Sequence, residues 1–285
     1  ISGYLIKQAY AKLYQKRLSN FSLKDDFDEN FEEEEEEEEA GEQVCEGNIS
    51  ESDYITLRQI GIGSSFKVDL IYHIEKEQLM VIKIPNGSDQ QIPELMKREI
   101  NNYLRISHLL LPHFYGTVHS KNYPVLEYIN GQLLSNIEIM KLDFADKITI
   151  IFHIMIVLIY LHENGFIYRD LKPNNIMIDQ NKTAVLIDFD RMINISDISE
   201  NQQFTSDFSS VYADPEANYG EISAKNDIYS LGQMIYFIIT ERNPKNNLCD
   251  ENFERNSKIG EIYRECLSID QPNQRHSIKN IIVDF

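Results

Sequence analysis

The chain has 285 residues, 42% of them hydrophobic, with 14 Phe and 16 Tyr, so a sizeable core is available and global disorder is excluded. Its net charge of −19 is uneven: residues 1–52 hold fifteen acids against five bases, leaving −9 for the other 233 residues. That balance argues against nucleic acid as a direct partner, because phosphate backbones are bound by clustered Lys and Arg.

Residues 1–20 lack Pro and place Leu5, Ala9 and Leu13 four apart, with Tyr10 and Tyr14 beside them, which predicts an amphipathic helix. Eight consecutive acids, Glu32 to Glu39, repel one another and bury nothing. Residues 25–50 are therefore expected to be a disordered linker, with an acidic arm for a basic partner as the sharper alternative. The domain boundary falls near Ser52, giving an N-terminal region 1–52 and a globular domain 53–285. From Asp53 to Glu127 the pattern is mostly strand-like: Ile55–Ile62, Lys67–Ile74 and Leu79–Ile84 are β-rich and separated by turn residues. One helix interrupts them, from Pro93 to about Ile106. From Gly131 onward helical periods dominate, over Phe144–Glu163, Asp227–Thr240 and Lys258–Ile269.

Cys45, Cys249 and Cys266 are far apart and show neither a disulfide framework nor C-x-x-C spacing. This favours a reducing, intracellular compartment, with the cytoplasm as the expected location. The chain begins at Ile1 with no signal-like stretch, the pattern of an excerpt from something longer. Its most apolar window, Ile148 to Leu161, contains His153 and is too short to span a bilayer, so a buried core helix and no membrane partner are expected.

The richest segment is Tyr168-Arg169-Asp170-Leu171-Lys172-Pro173-Asn174-Asn175. Ile176–Asp179 follows, then a polar turn, then Ala184–Ile187 and Asp188-Phe189-Asp190. Two short apolar runs joined by a polar turn predict an antiparallel hairpin that brings Asn175 and Asp188 to one end, with Asp170 just upstream. Two carboxylates and an amide oxygen form a hard-oxygen site suited to Mg²⁺ on phosphates. Glu99 lies four residues from both Leu95 and Tyr103 on an apolar helical stripe. A carboxylate facing inward needs a partner, and Lys83 is the candidate.

These residues resemble the protein kinase family, whose motif set they follow in order over about residues 54–285. The resemblance implies an α+β, bilobal fold: a small β-rich N-lobe (53–127) with one key helix, a hinge (127–131) and a larger, mainly helical C-lobe (132–285). It implies ATP and Mg²⁺ as cofactors and protein substrates as partners. Asp170 would accept the proton of a substrate hydroxyl and Lys172 would steady the γ-phosphate. Asn175 and Asp188 would hold metal, and Lys83, paired with Glu99, would contact the α- and β-phosphates. Gly61-Ile62-Gly63 ahead of Val68 resembles the glycine-rich loop. Val68, Val81 and Met177 would sandwich adenine, with Leu126 as gatekeeper and Leu126-Glu127-Tyr128-Ile129 as the hinge. Asp227 would brace the catalytic loop, and Arg275 would pair with Glu216. Lys172 and Ser209 resemble the serine/threonine branch, and Asn174 implies no strong Arg preference in substrates. Arg169 would meet a phosphorylated residue of the activation segment, with Thr205, Ser206 and Ser210 as candidates.

Three departures stand out. Phe66 replaces the third glycine and could hamper phosphate approach. Asp190 replaces the Gly of Asp-Phe-Gly, so flipping of Phe189 is expected to be restricted, and Asp214 replaces the Ala of Ala-Pro-Glu. They leave an alternative in which the chain is a pseudokinase, a nucleotide-binding or scaffolding module. A small-molecule kinase is a weaker third reading.

Overall fold

The computed structural model describes residues 47–63, 65–87, 92–119, 121–136, 142–198, 211–215, 222–245, 250, 253, 257–267, 275 and 277–284. The helix expected over residues 1–20, the acidic run, Ser209, Glu216 and the three candidate phosphosites lie outside the described residues.

Six strands form one sheet in the order β1-β5-β6-β4-β3-β2. They are β1 (Asn48–Ile49), β2 (Tyr54–Ile62), β3 (Phe66–His73), β4 (Gln78–Pro85), β5 (Phe114–Val118) and β6 (Tyr123–Glu127). The β-branched and aromatic runs predicted as strands become β2 to β4 with ends shifted by one residue. Asn48 and Ile49, which the sequence placed in the linker, pair in parallel with Thr117 and Val118. The first sheet residues thus precede the expected boundary at Ser52. Helix α1 (Ile92–Tyr103) lies against this sheet and buries Ile92, Met96, Glu99, Asn102 and Tyr103.

The C-terminal half is built on α2 (Phe144–Glu163), α3 (Ala224–Thr240), α4 (Lys258–Leu267) and α5 (Ile278–Asp284). Asp143 caps α2 by accepting from the Asp146 N–H, and Ser223 with Asn226 forms a capping box at the start of α3. Helix α2 is long and apolar enough to cross a membrane by length and composition. It packs against α3, α5 and the short strand segments 166–167 and 184–186, and buries Ile150, Ile151, Met155, Leu158 and Leu161 completely. That is the place of a core helix.

Between the two halves run β7 (Gly131–Leu133), β8 (Phe166–Ile167), β9 (Ile176–Asp179), β10 (Ala184–Leu186) and β11 (Ile193–Asn194). The predicted hairpin is β9–β10, antiparallel, with Ile176 opposite Leu186 and Ile178 opposite Ala184. Strand β7 adds to its other side. Gly131 is required there, because a Cβ would collide with the backbone carbonyl of Ile178. The β8–β11 pair clasps the segments on either side of the hairpin. One apolar cluster joins both halves, from Leu70, Val81 and Tyr103 through Tyr168 and Phe189 to Ile262 and Ile281.

Candidate active site

Lys83, on β4 opposite Val68, is nearly buried. Its Nζ donates to Glu99 Oε1 at 2.7 Å and to Asp188 Oδ1 at 2.7 Å. Burial opposes the ammonium, but Asp188, then Glu99 and Asp190, outweigh it and hold the Lys83 pKa above the ordinary lysine value. Glu99 is fully buried. Burial pushes its carboxyl up while Lys83 pulls it down. Asp188 is held below the usual carboxylate range, because Lys83 more than offsets the effect of burial. The expectation that an inward Glu99 meets Lys83 is met, with Asp188 as a third member.

Asp188 has φ 69° and Arg169 φ 71°, two left-handed non-glycine residues on either side of the β9–β10 hairpin. The first aims the Asp188 carboxylate at Lys83 while Phe189 turns the other way. Phe189 is fully buried, edge-on to Tyr103 of α1 at 5.0 Å and to Tyr168 at 5.8 Å. Tyr168 therefore meets Phe189 through its ring, and its hydroxyl also donates to the Ile187 carbonyl at 2.6 Å. Asn102 fixes the arrangement from α1. Its Nδ2 donates to the carbonyls of Phe189 at 2.8 Å and Met192 at 2.9 Å. Sequence reasoning missed Asn102, although an Asn three residues after Glu99 on the same inward face was a signal for it.

Asp170 follows Arg169 on the loop ahead of the hairpin. Lys172 Nζ donates to its Oδ2 at 2.7 Å, and Asn175 Nδ2 donates to the same oxygen at 2.8 Å and to the Asp170 carbonyl at 2.9 Å. Ile187 N–H donates to the Asn175 carbonyl at 3.0 Å, so the start of one strand and the end of the next meet as predicted. Asp227, the fourth residue of α3, braces this loop. It is fully buried and accepts from the N–H of Tyr168 and of Arg169, both at 2.8 Å, with His162 Nε2 at 2.8 Å on one oxygen. His162, at the end of α2, was not foreseen.

The donor set suits Mg²⁺. With its Nδ2 spent on Asp170, Asn175 can offer only its amide oxygen, beside the carboxylates of Asp188 and Asp170. Among the described residues no cluster of three or more His, Cys, Asp and Glu could hold a metal by itself. A cation that completes its shell with phosphate oxygens and water needs no such cluster.

Gly61 and Gly63 flank Ile62 at the end of β2. A Cβ at Gly61 would meet Val68 at an ordinary 3.6 Å, and one at Gly63 would lie 3.4 Å from the Phe66 carbonyl. Neither packing nor a positive φ explains these glycines, which leaves open backbone beneath the turn. Val68 faces the same side as Val81, which pairs with Leu126 across β4 and β6. Met177, half-buried, pairs with Leu133 across β9 and β7. Glu127 pairs with Met80, and its side chain accepts from the His113 N–H at 3.1 Å. Tyr128 and the buried Ile129 continue into β7. Of the residues predicted for a nucleotide site, Val81 and Leu126 belong to one apolar cluster, and Val68 and Tyr128 pack against it.

Arg275 is not described with Glu216. Its Nη1 donates to Asp214 Oδ2 at 2.5 Å, and both side chains are almost wholly buried. Phe66 differs from expectation. Its ring packs against Ile92 and Met96 of α1 rather than standing beneath the turn.

Residues 54–284 match the protein kinase domain family. Among curated relatives, the maternal embryonic leucine zipper kinase of Danio rerio is 31% identical over 194 residues, 65% of this chain and 29% of the relative. The carbon catabolite-derepressing protein kinase of Candida glabrata is 31% identical over 207 residues, 67% of this chain and 32% of the relative. The serine/threonine-protein kinase PknB of Mycolicibacterium smegmatis is 28% identical over 208 residues, 68% and 33% of the two chains. The chain thus spans about a third of the length of these relatives. With a β-rich half carrying Lys83 and Glu99, a helical half carrying Asp170 and Asp188, and this match across both, the chain belongs to the protein kinase family.

Proposed function

We propose that the chain catalyses transfer of the γ-phosphate of ATP to serine or threonine hydroxyls of protein substrates. The observation that carries this reading is Lys83, held at 2.7 Å from both Glu99 and Asp188 while Phe189 is buried between Tyr103 and Tyr168. The relatives named as serine/threonine kinases support the class of hydroxyl.

In this reading Lys83 contacts the α- and β-phosphates, and the bare backbone at Gly61 and Gly63 covers them. Val68, Val81, Leu126 and Met177 enclose the adenine, and residues 127–129 offer backbone groups to its edge. Asn175 and Asp188 would hold Mg²⁺, which when bound would supply positive charge against the phosphates. Asp170 accepts the proton of the incoming hydroxyl. Its Oδ2 is engaged by Lys172 and Asn175, which leaves Oδ1 for the substrate. Lys172 then steadies the phosphoryl group in transfer.

Arg169 supports a regulatory role. Burial, then the neighbouring Arg98 and Arg191, lower its pKa to about 10. A phosphate on the segment after Asp188 would relieve three crowded arginines. A cytoplasmic setting belongs to the same proposal.

The test is incubation of the full chain with Mg²⁺, γ-labelled ATP and a generic protein substrate, followed by phosphoamino-acid analysis. Label on Ser or Thr supports the reading, and label on Tyr alone defeats it. Phe66 over Lys83 and the acid at position 190 favour one second reading, a nucleotide-binding scaffold. It would show ATP binding with no transfer to any substrate.

A further inference from the structure

Phe66 stands where the family has a glycine, yet it is one of the better buried aromatic side chains of the N-terminal sheet, 6% exposed. It opens β3 opposite Pro85, two residues from Val68, on the face of the sheet that looks toward α1. Its ring forms a small cluster with Ile92 and Met96 of α1, bordered by Leu95 and Ile100. The same ring lies 4.7 Å from Lys83 Nζ, measured to its centroid. Its backbone closes the glycine turn, the Gly63 N–H donating to the Phe66 carbonyl at 2.7 Å. The turn is tied in its turn to the end of β4, since Asn86 Nδ2 donates to the Gly63 carbonyl at 3.0 Å.

One residue therefore touches the glycine turn, the first half of α1 and the Lys83 ammonium. The ammonium has three N–H groups. Two go to Glu99 and Asp188, and the ring presents its electron-rich face to the same nitrogen. Glu99 is three residues from Met96, so the ring holds both ends of the Lys83–Glu99 pair: one by contact with the cation, the other through the helix that carries the carboxylate.

We propose that Phe66 is a positioning residue that clamps α1 and the glycine turn together and so keeps Lys83 on Glu99. A glycine at this position would have no side chain to do so. The consequence for phosphoryl transfer rests on the kinase reading above, whereas the placement of Lys83 and α1 does not.

The test uses the full chain without nucleotide and two readouts that need no activity. The first is amide exchange over residues 92–103, and the second is labelling of Lys83 by an amine-reactive reagent, read by mass spectrometry. Phe66→Gly, the family residue, is expected to speed exchange in α1 and Lys83 labelling by roughly tenfold each. Phe66→Leu keeps apolar packing but not the ring face, so it is expected to raise Lys83 labelling several-fold with little change in α1. Phe66→Tyr is expected to restore both values. If Phe66→Gly does not fold, the Leu and Tyr variants decide alone. Lys83 labelling equal in the Phe, Leu and Tyr proteins would overturn the proposal and leave Phe66 as core filling. Faster exchange and labelling in a protein that transfers no phosphate would support the proposal and defeat the kinase reading instead.

Discussion

Asp214 and Arg275, 61 residues apart in the chain, form an ion pair with 0% and 1% side-chain exposure. The aspartate also accepts from Asn226 Nδ2 at 3.0 Å, and the guanidinium lies 5.1 Å from the Tyr229 ring and donates to the Lys225 carbonyl at 3.2 Å. Residues 211–215 are thereby fastened to the first turns of α3, the helix that carries Asp227. Removing either charge strands the other away from water. Asp214→Asn is expected to cost about 3 kcal/mol of unfolding free energy in urea. Replacing both residues by apolar ones of similar volume should cost less than the two single losses added together. Additive losses would show that the two charges do not depend on each other.

Asp227 accepts two backbone N–H bonds and faces His162, all at 2.8 Å. An Asn there keeps the shape but turns an NH₂ toward a donor. Asp227→Asn is therefore expected to lose about 2–3 kcal/mol of stability. Because Arg169 sits at φ 71° beneath this brace, kcat should also fall at least tenfold with little change in ATP affinity. Unchanged kcat in a folded variant would show that Asp227 serves stability alone.

Burial, then the neighbouring Asp188, raises the Asp190 carboxyl from 3.8 to about 6. A carboxyl whose pKa is raised on folding keeps more protons in the native state than in the unfolded one. The contribution of this group to stability is thus most favourable below about pH 4 and is lost as pH rises through about 6. Asp190→Asn has no such charge. Without nucleotide it should be the more stable protein at pH 7.5, by about 2 kcal/mol, with the gap closing between pH 6 and pH 4. Denaturation curves of both proteins across that range would check this, and a gap independent of pH would refute it.

The core of the site could be read from the chain because its parts are local. Asp170, Asn175 and Asp188 lie within one loop and one hairpin, and two short apolar runs joined by a polar turn place them. Lys83 and Glu99 lie on separate elements, but an acid on an apolar helical stripe announces its need for a partner. The short strands β1, β7, β8 and β11, of two or three residues, carry neither a period nor a partner run across a polar turn, which is what revealed the equally short β10. The Asp214–Arg275 pair depends on where residues 211–215 pass over α3, which no local pattern encodes. Phe66 could be recognised as a departure, but the direction of its ring is decided by Ile92 and Met96 on another element.

The most direct measurement compares the wild-type chain with Asp170→Ala in single-turnover transfer from γ-labelled Mg·ATP, alongside nucleotide affinity for both. Asp170 bonds to Lys172 and Asn175, and lies apart from the Lys83 pair that would hold the phosphates. Transfer should fall by a factor of about 10² or more while ATP binding changes less than about threefold. Equal transfer by the two proteins, or none by either while ATP is bound, would contradict the assignment of Asp170 as the base of an active kinase.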